Sequence, residues 1–419
     1  MTNDVKKVPE LRFPEFSGEW EEKTLGDVLT ILDGDRGKNY PSGTDFLEYG
    51  HTLFLNASNV TKNGFSFTLK QYITEKKSIS MGNGKLVKDD VVLTTRGSIG
   101  NIGWYDEEIY REIPYARINS GMLILRSNNK DMASFVSQFL MSTKGKRQID
   151  RISFGSAQPQ LTKKDIKLYR IDFPQIKEQQ KIGEFFSKLD QQIELEEQKL
   201  EKLEEQKKGY MQQIFSQKLR FKDDNGNYYP EWKEKNLGDI SELITKGTTP
   251  KNKVNDGSIN FIKVENISPI NGFITNTTKI TEEEHSTYLK RSQLKENDIL
   301  FSIAGTLGRV SVVKREILPA NTNQALAIIR LNAMNLEYIK TYLTGRAIKR
   351  FIANNPTVGA QPNMSLTQIR DLIIAIPNLT EQEKIGSFFK KIDNSIKKQS
   401  DKIWLLKKRK KGFLQKMFV

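Results

Sequence analysis

The most regular pattern of hydrophobic and polar positions lies in residues 174–215. Apolar side chains recur there at alternating steps of four and three residues, provided that Glu196 and Lys207 are counted among them. This spacing aligns side chains along one side of a helix and is typical of the seam of a coiled coil. We therefore predict one long helix that begins after Pro174, because the residue before a proline disfavours helical geometry.

The same pattern recurs in residues 377–418, where 18 of 42 positions are identical to the first copy at a shift of 203 residues. A repeat of this length predicts a second long helix with a seam of its own. The predicted seam residues are Ile182, Phe185, Phe186, Leu189, Ile193, Leu200, Leu203 and Tyr210 in the first copy, and Ile385, Phe388, Phe389, Ile392, Ile396, Ile403, Leu406 and Phe413 in the second.

The two copies differ most in charge. Residues 194–208 carry a net charge of −2, from six acidic and four basic residues, whereas residues 397–411 carry +7, from eight basic residues and one acidic residue. Opposite charges beside similar apolar seams favour pairing of one copy with the other. We predict that the two helices pack on each other within one chain. The alternative is two ordinary amphipathic helices, each on its own domain.

The repeat extends beyond the helices. Residues 11–13 (LRF) return at 219–221, residues 19–27 (EWEEKTLGD) at 231–239, residues 90–100 (DVVLTTRGSIG) at 298–308, and residues 156–166 (SAQPQLTKKDI) at 359–369. Short β-branched runs between turn signals predict strands mixed with a few helices. We predict an α+β fold written twice: a first globular domain at 1–177, a helix at 178–216, a second globular domain at 217–380 and a helix at 381–419.

The chain is strongly basic and contains no cysteine. Its formal net charge of +15 and pI near 9.5 favour a polyanionic partner, most commonly nucleic acid. The absence of cysteine excludes disulfides and fits a reducing, cytoplasmic setting. The start of the chain lacks an apolar signal segment, and no stretch approaches 18 uninterrupted apolar residues, so we expect neither secretion nor a membrane span.

No motif in the chain predicts catalysis. The phosphate-binding GxxxxGK[ST] pattern is missing, and the glycines of residues 97–103 suit a tight turn between strands better than a nucleotide site. His51 and His285 lie far apart and have no companions at the spacing of metal ligands. We therefore expect no catalytic residue, no bound metal and no cofactor on this chain.

Loops rich in amide and basic side chains occur at equivalent places in both halves. Arginine can pair with guanine, asparagine and glutamine with adenine, and lysine, serine and threonine with phosphate. The candidate DNA-binding residues are Arg36, Lys38, Asn59, Arg96, Ser98, Arg117, Asn119, Gln158 and Gln160 in the first half, and Lys246, Thr248, Lys251, Asn266, Thr306, Arg309, Asn321, Asn323, Gln324, Gln361 and Asn363 in the second. The alternative for each is a turn-forming, capping or solvated residue.

The duplicated order of these motifs resembles that of the specificity subunits of type I restriction–modification systems. The resemblance rests on the two LGD lead-ins, the two strand–G[ST][IL]G segments, the two AQP segments and the two long helices with EQxKIGxFFxKxD. It implies two target recognition domains that each read one half of a split, asymmetric DNA site. It further implies that the two helices pair antiparallel, set the spacing and dock partner methyltransferase subunits.

The same resemblance places the chemistry elsewhere. S-adenosylmethionine would be bound by the methyltransferase subunits, and ATP and Mg²⁺ would be used by partner subunits, including a separate motor-endonuclease. Two alternatives stay open: a stand-alone DNA methyltransferase or endonuclease with fused recognition domains, and a basic coiled-coil adaptor. About 38 helical residues at ~1.5 Å each span roughly 57 Å. That length exceeds the ~34 Å between successive turns of a DNA groove, so such helices suit a spacer.

Overall fold

The structure, a computed structural model, describes residues 7–153, 160–251, 257–269, 271–354 and 363–419. The chain divides into two compact units. Unit 1 comprises residues 1–195 and 403–419, and unit 2 comprises residues 196–402. The two long helices each contribute one part to unit 1 and the other part to unit 2.

Unit 1 mixes short strands with helices of very different length. Its strands are β1 (Glu21–Thr24), β2 (Thr30–Asp33), β3 (Thr52–Leu55), β4 (Val60–Thr61), β5 (Gly64–Phe65), β6 (Tyr72–Ile73), β7 (Asp90–Thr94), β8 (Ile102–Tyr105), β9 (Ala116–Ile118), β10 (Met122–Arg126) and β11 (Arg170–Phe173). Its helices are α1 (Leu25–Val28), α2 (Glu75–Ser80), α3 (Glu107–Glu112), α4 (Lys130–Met141), α5 (Thr143–Ser153), α6 (Lys163–Lys167) and the first half of α7 (Ile176–Phe215).

The main sheet of unit 1 is antiparallel and runs in the order β2-β10-β7-β8. A second sheet has the order β6-β3-β9, in which β3 and β9 are parallel, and β1 pairs with β11. Successive side chains of β7 point to opposite faces of the main sheet. Val91 and Leu93 belong to the core that contains Phe135 and Phe139 of α4, and Val92 belongs to the core beside β3 and β9. The main sheet is therefore buried on both faces.

Unit 2 repeats this plan. Its strands are β12 (Lys233–Asn236), β13 (Ser241–Lys246), β14 (Ile259–Ile262), β15 (Thr278–Ile280), β16 (Ile299–Ser302), β17 (Val310–Val312), β18 (Ala320–Thr322), β19 (Leu326–Leu331) and β20 (Ile373–Ile376). Its helices are the second half of α7, α8 (Glu282–Ser286), α9 (Leu336–Leu343), α10 (Arg346–Asn354), α11 (Leu366–Arg370) and the first part of α12 (Leu379–Lys416), the last part of which belongs to unit 1.

The sheets of unit 2 have the same topology as those of unit 1. The main sheet runs β13-β19-β16-β17, the second sheet runs β15-β14-β18 with β14 and β18 parallel, and β12 pairs with β20. Phe301 of β16 lies in the core with α9, whereas Leu300 lies in the core with β14 and β18. The predicted α+β class and internal repeat are confirmed, as are the two long helices. No helix in the described parts of the chain is long and apolar enough to cross a membrane.

Within each unit, the two long helices pair antiparallel along the predicted seam. In unit 1, Phe185 of α7 meets Phe413 of α12 with ring centroids 5.0 Å apart, and Phe186 stacks on Phe418 at 6.0 Å. In unit 2, Tyr210 meets Phe388 at 5.1 Å and Phe215 stacks on Phe389 at 6.0 Å. Each contact of one unit recurs in the other at the 203-residue shift. Burial follows the seam at fifteen of the sixteen predicted residues. Tyr210 is the exception, since 39% of it is exposed although its ring contacts Phe388. The buried seam residues are Ile182, Phe186, Ile193, Ile385, Phe389, Ile396, Ile403 and Leu406, and the half-buried ones are Phe185, Leu189, Leu200, Leu203, Phe388, Ile392 and Phe413.

The polar positions of the seam are paired as well. In unit 1, Lys410 Nζ donates to both carboxylate oxygens of Asp190 at 2.6 and 2.7 Å. In unit 2, Lys207 Nζ lies 2.7 Å from Asp393. Lys207 therefore fits an apolar pattern because its long stem packs in the seam while its ammonium reaches a carboxylate at the edge.

Glu196 is the most constrained polar residue of the seam. It is 5% exposed, and its carboxylate accepts hydrogen bonds from Gln399 Nε2 at 2.6 Å and from Lys402 Nζ at 2.9 Å. Residue 399 is the counterpart of residue 196 at the 203-residue shift, so unlike residues face each other at this position. A paired Glu–Gln contact favours pairing of α7 with α12, since two α7 helices would bring two carboxylates together.

This contact makes a prediction about pH. Hydrogen bonds, first from Lys402 and then from Gln399 and Lys199, lower the pKa of Glu196 from 4.5 to about 2. A carboxyl group whose pKa is lower in the folded protein stabilises the fold fully above pH 4.5, and that contribution is lost as pH falls from 4.5 toward 2. We expect Glu196→Gln to remove this component. Urea unfolding of both proteins between pH 3 and 6 would measure it; parallel pH profiles would contradict the assignment.

The two LRF segments, residues 11–13 and 219–221, contact the starts of the long helices. Arg12 donates to both oxygens of Glu178 at 2.8 and 2.7 Å, and Glu178 is 1% exposed. In unit 2, Arg220 Nη2 donates to Glu381 at 3.1 Å, and Trp232 Nε1 donates to the same carboxylate at 3.0 Å. Each buried carboxylate therefore depends on an arginine that lies about 160 residues away in the sequence.

Candidate nucleic-acid interface

The turn between β7 and β8 presents an exposed tip. Gly97 and Gly100 have φ values of +69° and +81°, which favour glycine, so the repeated glycines of this segment are required by the turn. The buried Thr94 hydroxyl donates to Ser98 O and accepts from Asn101 N at 2.9 Å. These bonds fix the turn from inside and leave Arg96 and Ser98 exposed at its tip.

Three further loops lie beside this tip in unit 1. Thr95 N donates to Gly121 O at 2.8 Å, Leu161 N donates to Thr95 O at 3.2 Å, and Arg36 Nη2 donates to Ser120 O at 3.3 Å. We call residues 34–38, 95–98, 119–121 and 160–161 the unit 1 rim. Its first loop is shaped by Asp35, which accepts hydrogen bonds from Gly37 N at 2.7 Å and Gly82 N at 2.9 Å. The Gly37 bond is the main reason that the pKa of Asp35 is lowered.

Unit 2 builds the same arrangement from different residues. Ile303 N donates to Ala325 O and Met364 N donates to Ile303 O, both at 2.8 Å, and Thr248 N donates to Thr322 O at 2.9 Å. We call residues 246–251, 303–306, 323–325 and 363–364 the unit 2 rim. Its turn tip carries Gly305 and Thr306, and Gly305 and Gly308 again have positive φ values of +72° and +78°.

Most of the predicted DNA-binding residues lie on these rims. The side chains of Arg36, Lys38, Arg96, Ser98 and Gln160 in unit 1, and of Lys246, Lys251, Thr306, Gln324 and Asn363 in unit 2, are exposed, while Asn119, Thr248 and Asn323 are half-buried. Lys251 Nζ lies 4.4 Å from the centroid of the Tyr288 ring, which holds it by a cation–π contact. Gln158 and Gln361 lie outside the described residues.

Two of the residues predicted to contact bases instead stabilise loops of the protein itself. Asn59 is 2% exposed, donates to Leu69 O at 2.7 Å and accepts from Asn56 N at 3.0 Å. Asn266 is 7% exposed, donates to Asn276 O at 2.8 Å and accepts from Lys263 N at 2.7 Å. Their side-chain amides are occupied by hydrogen bonds to backbone atoms of neighbouring residues. We therefore reassign both residues from base contact to stabilisation of the loop.

Three more candidates are reassigned for the same reason. Arg117 is 4% exposed and donates to Ser78 Oγ at 3.0 Å and to Asn83 O at 2.9 Å. Asn321 is fully buried and donates to Leu289 O at 2.8 Å. Arg309 is half-buried, and its Nη1 donates to Val264 O and Ile267 O at 3.0 and 2.9 Å. Composition alone could not distinguish these internal bonds from contacts with bases.

Comparison of the two halves in sequence missed a second basic feature. Lys146-Arg147-x-Ile149 in α5 recurs as Lys349-Arg350-x-Ile352 in α10 at the shift of 203 residues. Its repetition at the 203-residue shift is the sequence signal for it, although the segment lacks the glycines and amides that mark the rims. Among the described residues, no group of three or more histidine, cysteine, aspartate and glutamate side chains is arranged to hold a metal ion.

Comparison with known proteins agrees with this architecture. The chain is 22% identical to the type I restriction enzyme MjaIX specificity subunit of Methanocaldococcus jannaschii, covering 99% of this chain and 94% of that protein. It is 27% identical to the putative type I restriction enzyme MjaX specificity subunit of the same organism. That match covers 49% of this chain and 50% of the relative, so this chain spans about half the length of that relative. The fold resembles the crystal structure of the type I restriction–modification S subunit from M. genitalium, with a TM-score of 0.62, 16% identity, and coverage of 98% of this chain and 99% of that one.

Both halves match a single protein family, described as the type I restriction modification DNA specificity domain. The match covers residues 17–205 and 229–403, which include both rims and most of both long helices. This chain therefore belongs to the type I restriction–modification DNA specificity family.

Proposed function

We propose that this chain recognises DNA for a type I restriction–modification complex and that each unit reads one half of a split, asymmetric site. The observation that carries the proposal is the pair of rims, which have the same backbone arrangement and different side chains. Exposed arginines, Arg36 and Arg96, occur on the unit 1 rim and not on the unit 2 rim, whereas each rim exposes one glutamine, Gln160 or Gln324. Arginine suits guanine and glutamine suits adenine, so two such rims favour two different half-sites.

In this proposal the chain itself makes and breaks no bond. Methyltransferase subunits would supply S-adenosylmethionine chemistry, and a motor-endonuclease subunit would use ATP and Mg²⁺. The helix pair would set the length of the unread gap and dock the methyltransferase. Exposed apolar side chains support this docking role, because Leu195, Trp404 and Leu405 on the helices of unit 1 are 55%, 62% and 50% exposed.

The proposal is tested by mapping methylated bases. We expect cells that carry this chain together with its methyltransferase partner to modify a split site whose two halves differ, as read by methylation-sensitive sequencing of the genome. Cells with the methyltransferase alone are the control and should lack this modification. A continuous or palindromic target would contradict the reading by two unlike units.

The same experiment separates the alternatives. Methylation by the purified chain with S-adenosylmethionine, in the absence of a partner, would favour a stand-alone methyltransferase. Binding to duplex DNA without any sequence preference would favour a basic adaptor.

A further inference from the structure

The Lys-Arg-x-Ile segments of α5 and α10 lie directly beside the turn tips. A Cβ atom added to Gly100 would meet Ile149 Cγ2 at 3.0 Å, and a Cβ atom added to Gly308 would meet Ile352 Cδ1 at 2.8 Å. Ile149 is 1% exposed and belongs to the core of unit 1. In both units, therefore, an isoleucine fixes the basic helix against the last glycine of the turn that carries the rim's tip.

The basic side chains of these segments are available to a ligand. Lys146, Arg147, Lys349 and Arg350 are exposed, and none of them forms a hydrogen bond from its side chain or an ion pair within the described parts of the chain. Helical spacing also places Arg147 on one stripe with Lys144 and Arg151, and Arg350 on one stripe with Arg346. Each helix thus presents a group of positive charges beside its rim.

In unit 1 the positive charge is concentrated further. The Lys146 side chain as a whole is exposed, but neighbouring atoms partly desolvate its amine, which is the main cause of its lowered pKa. The positive charges of Lys62, Lys410 and Lys411 lower this pKa further, and Asp150 opposes them. Lys410 is paired with Asp190, but Lys62 and Lys411 have no ion pair among the described residues. An anionic ligand at this place would relieve the repulsion between these groups.

We propose that Lys146 with Arg147 in unit 1, and Lys349 with Arg350 in unit 2, bind phosphate groups of duplex DNA and so orient each rim toward the bases. The rims differ between the units, whereas this pair and its isoleucine are the same. Phosphates are the part of DNA that is the same in every sequence, so an unchanged basic pair suits them and not the bases. This inference rests on the proposed function and adds to it the residues that position the DNA.

The test measures the salt dependence of DNA binding by the full chain. Each lost phosphate contact should reduce the slope of log K against log salt concentration by about 0.9. We expect Lys146→Gln with Arg147→Gln to reduce the slope by roughly two for duplex DNA of random sequence, and Lys349→Gln with Arg350→Gln to do the same. The bases enriched from a random duplex library should stay those of the unmodified chain.

Two matched variants control for charge and fold. Lys233→Gln with Lys235→Gln removes two exposed positive charges from β12 and should leave the slope unchanged. Lys146→Arg with Arg147→Lys keeps the charge and should keep the slope. An equal slope in the Gln variants and the unmodified chain would overturn the inference. An equal decrease in the β12 control, or a change in the enriched bases, would overturn it as well.

Failure of the proposed function can be distinguished from failure of the phosphate assignment. If the unmodified chain with its partner enriched no sequence at all, the recognition role would be wrong whatever the slopes were. If it enriched a split site while the Gln variants kept its slope, the recognition role would stand and only the phosphate assignment would fall.

Discussion

Insertion of seven residues into both α7 and α12, beside the Glu196–Gln399 contact, is expected to lengthen the unread gap of the DNA target by about three base pairs. One heptad keeps every seam residue in phase, so the helices can still pair. It adds ~10 Å at ~1.5 Å per residue, and a base pair of duplex DNA rises ~3.4 Å. The gap and the flanking bases would both be read by methylation-sensitive sequencing, and the bases should be unchanged.

The matched control inserts the heptad into α7 alone. The seam contacts on one side of the insertion then lose their partners on α12. We therefore expect a lower free energy of unfolding and little methylation, not a longer gap. If cells that carry the variant with both insertions still methylated the original site with the original gap, the helices would not set the spacing.

Replacement of Arg220 by methionine is expected to lower the free energy of unfolding of unit 2 by about 3 kcal/mol, because removal of one partner leaves a buried charge without compensation. Glu381 is fully buried, and among the described residues its carboxylate would keep only the hydrogen bond from Trp232 Nε1. Methionine retains most of the apolar stem, so the loss reports the polar contacts of the guanidinium and not the packing. These contacts are the ion pair with Glu381 and the hydrogen bonds to Tyr229 O and Pro230 O at 2.9 and 2.8 Å. Hydrogen exchange of peptides from unit 2 measures the change separately from unit 1.

Lys384 provides the control on the same helix. Its ammonium lies 2.8 Å from Asp224, whose side chain is 97% exposed, and solvent screens such a pair. We expect Lys384→Met to lower the free energy of unfolding much less than Arg220→Met does. Similar losses in the two variants would mean that the burial of Glu381 does not matter. The equivalent comparison in unit 1 is Arg12→Met against Lys181→Met.

The amino-acid pattern was sufficient for the large elements. Alternating steps of three and four residues predicted both long helices, and the helices begin two residues after Pro174 and Pro377. Long periodic segments are well determined because each turn repeats the same constraint. The repeated glycines at 97, 100, 305 and 308 also predicted turns, since glycine readily adopts the positive φ found at each of them.

The roles of single polar residues were less well predicted. The chemistry of Asn59 and Asn266 and their equivalent positions in the two halves predict base contacts. An asparagine that bonds its own loop has the same chemistry and the same repeat, so the sequence gives no means of separating the two roles. The Lys-Arg-x-Ile segments are not distinguished by the sequence, because a basic pair on a short helix resembles any solvated surface until its neighbours are known.

By itself, the sequence determined that this chain carries two related α+β domains and two long helices. Hydrophobic periodicity and repetition are visible in the order of the residues and do not depend on tertiary contacts. Only the tertiary structure decided which polar residues face outward. Arg12 and Glu178, or Asn321 and Leu289, meet across long stretches of chain, and burial depends on such distant partners. A residue's availability to DNA is therefore set by contacts that its own neighbourhood in the sequence does not record.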